Sequence, residues 1–410
     1  MQVPLPSVVL GERCDVRDDR TGEVLARAQV TALNADLATM TVLGASHGFG
    51  RRLLVTPTAR PLDIVLSADV AGSVLDGGGS IVERLAPSGP QVMPLERRPV
   101  HAYAPAYQRR RPVSTCLPTG VRAIDAMLSC GRGQRMGIFA TAGTGKTTLV
   151  KMILDHADAD ITVIALVGER GREVAEFVAE AQRGGRAART VIVQATSDTA
   201  PADRVSAALV ATTVAEYFRD QGKNVLLVVD SLTRYARALR DLALASGEPP
   251  ARRGYPASVF EVLPSLVERA GNVEGGSITA FYTALVEDEV EIDPVSEELR
   301  SLLDGHIVLS SKLAAEGQHP AIDILNSLSR LQAALVDAEH AHSAAIVRKR
   351  LARIRDLRLL IELGEYQAGR NGEDDRAMGM REAAESYFRQ APGERATWTD
   401  LVEDLHALAR

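Results

Sequence analysis

Between Val8 and about Val70, apolar and polar positions alternate in short runs separated by turn residues: "VVLGERCDVRD", "EVLARAQVTAL", "LATMTVLG", "RRLLVTPT" and "LDIVLSADV". Runs of this length and spacing predict a small β-barrel or sandwich, placed over residues 1–75. The pattern begins abruptly, as though a first strand were missing, so a truncated barrel is expected. Between "LDGGGS" (75–80) and "QRRRP" (108–112), prolines and glycines are frequent and periodicity is lost. That texture marks a connector, residues 76–112, wrapped over a neighbouring surface. From 113 to 337, apolar β-branched runs of strand length ("MGIFA", "TVIALVG", "TVIVQAT", "NVLLVVD", "SITAFYTAL") alternate with helical stretches. The alternation predicts an α/β domain, a mostly parallel sheet with helices on both faces. From 338 to 410 the pattern is helical. Val347, Leu351, Ile354, Leu357 and Ile361 recur at three- and four-residue steps, with Arg348, Lys349, Arg350, Arg353, Arg355 and Arg358 mostly on other faces. An amphipathic helix with a basic side follows.

Composition narrows the function classes. The 53 acidic and 47 basic residues leave a net charge of −6, so no global positive field is available to hold a polyanion. Cys14, Cys116 and Cys130 are widely spaced with no CxxC, which points to free thiols and a reducing compartment. No apolar run approaches the ~18 residues that span a bilayer, and no signal-peptide pattern opens the chain. A cytoplasmic protein is expected.

Three elements carry chemistry. "MGIFA" (136–140) runs into "TAGTGKTTL" (141–149) and a helical stretch, a strand–loop–helix context for the phosphate-binding pattern G-x-x-x-x-G-K-[ST]. Ala140 stands where the pattern wants glycine. It closes a strand, where packing is required rather than positive φ. Backbone N–H groups of Ala142, Gly143, Thr144, Gly145, Lys146, Thr147 and Thr148 are expected to cradle phosphates. Lys146 would reach the β- and γ-phosphates and the Thr147 hydroxyl would ligate Mg²⁺. "NVLLVVD" ends in Asp230, a candidate second Mg²⁺ ligand at a strand's carboxyl end. "VIALVGERGREVAEF" (163–177) ends its strand in Gly168, Glu169 and Arg170. Glu169 is the candidate to polarise an attacking water, with Arg170 anchoring phosphate oxygens or orienting that carboxylate and Glu173 one helical turn on.

Together with "PTGVRAIDAMLSCGRGQRMGIFA" (118–140), these elements resemble the catalytic subunits of rotary ATPases and their export relatives. More narrowly, "GIFATAGTGKTTL", "ALVGERGREVAEF", "AEYFRDQGKNVLLVVDSLTRYARA", "GEPPARRGYPASVF", "RSLLDGHIVLS", "PAIDILNSLSRL" and "ELGEYQAGRNGEDD" resemble the ATPase of bacterial type III secretion systems. An alanine at the place of Ala140 is usual in that family. The resemblance implies a RecA-like P-loop core between the N-terminal β-barrel and a C-terminal helical domain. It implies ATP and Mg²⁺ as cofactors, and Arg330 of "NSLSRL" as an arginine finger offered to the neighbouring subunit's nucleotide in a homohexamer. It further implies hydrolysis that energises protein export by chaperone release, substrate unfolding or stalk rotation. Central stalk, stator and chaperone–effector complexes are the implied partners, at the cytoplasmic face of the inner membrane with peripheral association. The sequence departs from the family at Ala257, where a second proline is frequent, and at Ser310, Ser311 and Lys312, where the family often reads "LSRKLA".

Other readings are weaker. A flagellar export ATPase shares the chemistry. An RNA-translocating ring needs stacking aromatics on its N-terminal barrel, and residues 1–70 hold only Phe49. A non-catalytic nucleotide-binding subunit commonly lacks the catalytic carboxylate, whereas Glu169 is present. The basic helix reads as a solvated face or an intersubunit contact. Tyr366 and Trp398 read as packing aromatics and His306 as a satisfied buried histidine. Histidine spacing suggests no metal beyond Mg²⁺.

Overall fold

The computed structural model describes the chain except residues 35–36, 45–48, 51, 88–93 and 287–292. Part of the expected connector, 88–93, therefore lies outside the described residues. The chain forms two compact units: Met1–Arg109 with Asp160–Ala270, and Arg110–Ala159 with Gly271–Arg410.

The first unit opens on an antiparallel sheet in the order Gln2–Pro4, Leu37–Leu43, Val24–Asn34, Glu12–Asp18, Leu53–Pro61. Its period-two pattern turns Cys14, Val16, Ala28, Val30, Ala38 and Met40 into one buried layer. Glu12, also inward, is satisfied by the N–H groups of Ala59 (2.7 Å) and Val9 (3.1 Å). This is the expected N-terminal β region. The α/β part of the unit aligns Ser73–Leu75, Thr190–Thr196, Ile161–Glu169 and Asn224–Asp230 as parallel neighbours. Every residue of Ile161–Glu169 is buried, as a central parallel strand demands. The buried helix Pro201–Arg219 is fixed by an internal ion pair, Arg269 Nε and Nη2 donating to the Glu216 carboxylate at 3.0 and 2.6 Å.

In the second unit, strand Arg135–Ala140 runs parallel to both of its neighbours, Gly276–Leu285 and Gly305–Val308. The expected C-terminal helical region comprises Ala338–Glu362, Gly372–Phe388 and Trp398–Ala409. Val347 and Leu357 are fully buried, and Leu351, Ile354 and Ile361 half-buried. The basic side is used within the chain: Arg348 donates to the Ile324 carbonyl (2.6 Å) and Arg350 to the Leu408 carbonyl (3.1 Å). Arg353 pairs with Asp374 (2.5 Å) and Arg358 with Glu316 (2.6 Å). A solvated face or an intersubunit contact was expected; Arg353 and Arg358 stay partly exposed while pairing with neighbouring elements of the chain. Tyr366 donates to Asp375 at 2.8 Å, and Trp398 lies against His340. Among the described residues no helix is long and apolar enough to cross a membrane.

The turn that leads towards strand Arg135–Ala140 is organised by Asp125, which accepts from Thr119 N–H and hydroxyl and from Gly120 N–H. Full burial outweighs these donors and pushes its carboxyl up to about 6. The folded state therefore holds this proton more tightly than the unfolded chain. The associated stability is complete below the unfolded value of 3.8 and is lost as pH rises through about 6. Asp125→Asn should flatten the fall in stability over that window, by roughly 3 kcal/mol at most, read from denaturant midpoints at several pH values.

Candidate nucleotide site

The phosphate-loop residues lie in the second unit. Ala140 ends its strand in extended, fully buried backbone, paired in register with Leu285, and its carbonyl accepts from Val286 N–H at 2.9 Å. The chain then turns. Gly143 and Gly145 take φ of 82° and 88°, a region that costs a side-chain-bearing residue, and Gly145 caps helix Lys146–His156. A Cβ on Gly143 would meet nothing within 4 Å, and one on Gly145 only His319 Nδ1 at 4.0 Å. Thr144, buried, braces the turn by donating to the Thr141 carbonyl at 2.8 Å. Ala142 and Thr148 are exposed, and Lys146 and Thr147 half-buried. The result is an open concave backbone at a helix N-terminus, which suits a phosphate chain. Beside its root lies a cavity of about 280 Å³ lined by Thr141, Arg300, Ser310 and Asp323 among others.

The acidic residues lie in the first unit. Asp230, 1% exposed, ends strand Asn224–Asp230 opposite Leu166. Glu169, 3% exposed, ends the adjacent parallel strand three residues further on. The geometry brings both to the carboxyl edge of one sheet, where open α/β sheets bind ligands. Glu169 Oε2 sits 2.9 Å from Arg234 Nη1, which also donates to the Gly168 carbonyl. Gly168 has φ 68°, and the strand register shifts between Val167 and Glu169. Arg234 is the residue that sequence reasoning missed; its signal is the spacing in "DSLTR", which sets an arginine in the first turn of the helix after Asp230. That helix, Leu232–Ala245, is capped by the Ser231 hydroxyl. Arg170 is 75% exposed and lies 3.9 Å from Glu173, while Arg234 pairs with Glu169.

Arg330, exposed in the second unit, donates from Nη2 to the Arg300 carbonyl at 3.1 Å, and its backbone N–H donates to the Asp304 carbonyl. His306 is half-buried, edge-on to Phe139, with its pKa lowered by burial and then by Arg300. Ser310, at the departure from the family pattern, caps helix Ser311–Ala315.

Comparison with known proteins now adds to this geometry. The model of the ATP synthase alpha/beta family nucleotide-binding domain matches residues 120–329, and that of the T3SS EscN ATPase C-terminal domain matches 336–407. The chain is 49% identical over 411 residues to the SPI-1 type 3 secretion system ATPase of Salmonella typhi, covering 100% of this chain and 95% of that protein. It is 42% identical to the flagellum-specific ATP synthase of Treponema pallidum, covering 98% of this chain and 89% of that one. The assembled ATPase EscN of enteropathogenic E. coli superposes with a TM-score of 0.92 at 40% identity, over 100% of this chain and 97% of that one. EscN in complex with its central stalk EscO gives 0.89, with the same identity and coverage.

The loop geometry makes a direct prediction. Ala140→Gly, which restores the general phosphate-loop pattern, should lower stability by about 0.5–1 kcal/mol, the usual cost of glycine inside a strand. Nucleotide affinity should stay within about twofold. A marked gain in affinity on titration would show that Ala140 limits the loop after all.

Proposed function

The chain belongs to the type III secretion ATPases, and from that premise we propose that it hydrolyses Mg-ATP to drive protein export at sites completed between subunits of a homohexamer. The loop Ala142–Thr148 binds the phosphates through its N–H groups. Lys146 neutralises the β- and γ-phosphates. The Thr147 hydroxyl and Asp230 carboxylate, both hard oxygen donors, hold Mg²⁺. When bound, that ion draws charge from the phosphate oxygens and so eases loss of the terminal group. Glu169 orients and polarises the attacking water, Arg170 steadies phosphate oxygens, and Arg330 of an adjacent copy meets the charge that develops on the transferring group.

The observation that carries hydrolysis over mere binding is the buried Glu169 carboxylate at a strand end with one oxygen fixed by Arg234. Such a group is costly to bury and is kept in place by a dedicated cation. The assembled state of EscN supports assembly of this chain, and a central stalk is proposed as a partner by the same likeness. Stator and chaperone–effector complexes, and a place at the cytoplasmic face of the inner membrane, complete the reading. An RNA-translocating ring is disfavoured, since Phe49 packs against the N-terminal core instead of offering a stacking face.

Lys146→Ala and Glu169→Gln should each abolish phosphate release from ATP, the second while keeping nucleotide affinity in equilibrium binding. Normal turnover by Glu169→Gln would refute the assignment. Specific activity should rise with protein concentration as rings assemble, and Arg330→Ala should remove that rise while the isolated chain still binds nucleotide. A parent protein whose specific activity is flat with concentration would rule out shared sites.

A further inference from the structure

Two arginine stems pack over the same glycine, and only one of them is neutralised. A Cβ on Gly168 would meet Arg234 Cδ at 3.0 Å and Arg204 Cδ at 3.5 Å. Arg234 is held by Glu169 and the Gly168 carbonyl. Arg204, half-buried near the start of helix Pro201–Arg219, has its Nε shielded from solvent with no hydrogen-bond partner, and it makes no ion pair among the described residues. Other carboxylates of this unit have partners of their own: Glu169 is held by Arg234, Asp198 by the Thr196 hydroxyl, and Asp203 by the Gly44 N–H at 2.7 Å. A buried Nε–H without an acceptor is unfavourable, and a bound ion or ligand is one of the ways proteins satisfy such a group. Its stem packs at Gly168, the residue before Glu169 in the chain, at the carboxyl ends of parallel strands, the end of the sheet to which the proposed function assigns the terminal phosphoryl group.

We propose that Arg204 binds a phosphate oxyanion at this strand end: the terminal phosphoryl group of the nucleotide, or the inorganic phosphate that group becomes. The planar fork of donors on a guanidinium matches that oxyanion. The inference rests on the reading of Glu169 as the hydrolytic carboxylate, and its test is built from binding measurements alone.

Arg204→Met keeps the unbranched stem beside Gly168 and removes the charge; Arg204→Gln serves if the methionine variant fails to fold, and Arg204→Lys restores a cation. Calorimetric titration of the full chain with ADP, with a non-hydrolysable ATP analogue and with inorganic phosphate separates the sources. Loss of charge should weaken the analogue or inorganic phosphate by about tenfold or more, the scale of one charge-assisted hydrogen bond. ADP should stay within about twofold, and lysine should recover part of the loss. A deficit in the analogue alone assigns the contact to bound nucleotide; one in inorganic phosphate alone assigns it to the product. Unchanged affinity for all three overturns the proposal. So does a parallel loss for all three with a lowered melting temperature, because a stem that only packs would give that result. A parent chain that binds but does not hydrolyse ATP would count against the proposed function and leave this test decisive.

Discussion

Glu169 stands buried at the end of a strand because Arg234 stands with it. Taking a lone carboxylate out of water costs several kcal/mol, and the protein must supply a cation with good geometry to hold it there. One guanidinium does this by binding both the Glu169 carboxylate and the Gly168 carbonyl, which fixes side chain and backbone together. The arrangement demands a glycine before the glutamate, since φ is positive there and the Arg234 stem fills the space of a Cβ. It also demands that the arginine enter from the first turn of the next helix, which Ser231 starts by capping Arg234 N–H. "GE" and "DSLTR", more than sixty residues apart in sequence, are therefore one mechanical unit.

Backbone conformation and free space decide where glycine is and is not required around the phosphate loop. Gly143 and Gly145 adopt positive φ with open space before them, so a side chain there would both strain the backbone and occupy the room a phosphate needs. Ala140 does neither. Its side chain is buried, and its backbone is fixed by the pairing with Leu285 and Val286. The general loop pattern merges two demands, a place to end a strand and a place to bend around an anion. In this chain they fall on different residues.

What was legible in the sequence follows from how local each cause is. The strand before the loop, the strands ending in Glu169 and Asp230, and the C-terminal helices announce themselves by periodicity and by residues adjacent in sequence. The spacing in "DSLTR" sets Arg234 in the first turn of its helix, but its partner is a strand end about sixty-five residues earlier, which that spacing does not name. The basic face of Ala338–Glu362 was legible as charge, without its partners within the chain. Its partners are carbonyls of Ile324 and Leu408 and the carboxylates of Glu316 and Asp374, all supplied by other elements. Glu216 with Arg269 is a further case: two ordinary charged residues whose pairing only the folded chain reveals.

These internal uses of charge also bear on which class of function the chain serves. A protein that grips a polyanion keeps its arginines free to face phosphates and tolerates the repulsion among them. Here the densest run of arginines is largely tied to carbonyls and carboxylates of its own unit, and the N-terminal aromatic is packed against a core. The chain sets one concave loop at the start of helix Lys146–His156 and places the buried acids Asp230 and Glu169 at the carboxyl ends of adjacent strands. A general anion binder needs the loop alone. An enzyme that moves a phosphoryl group to water needs an acidic residue held still as well, and in the proposed function the buried Glu169, paired with Arg234, would be that residue.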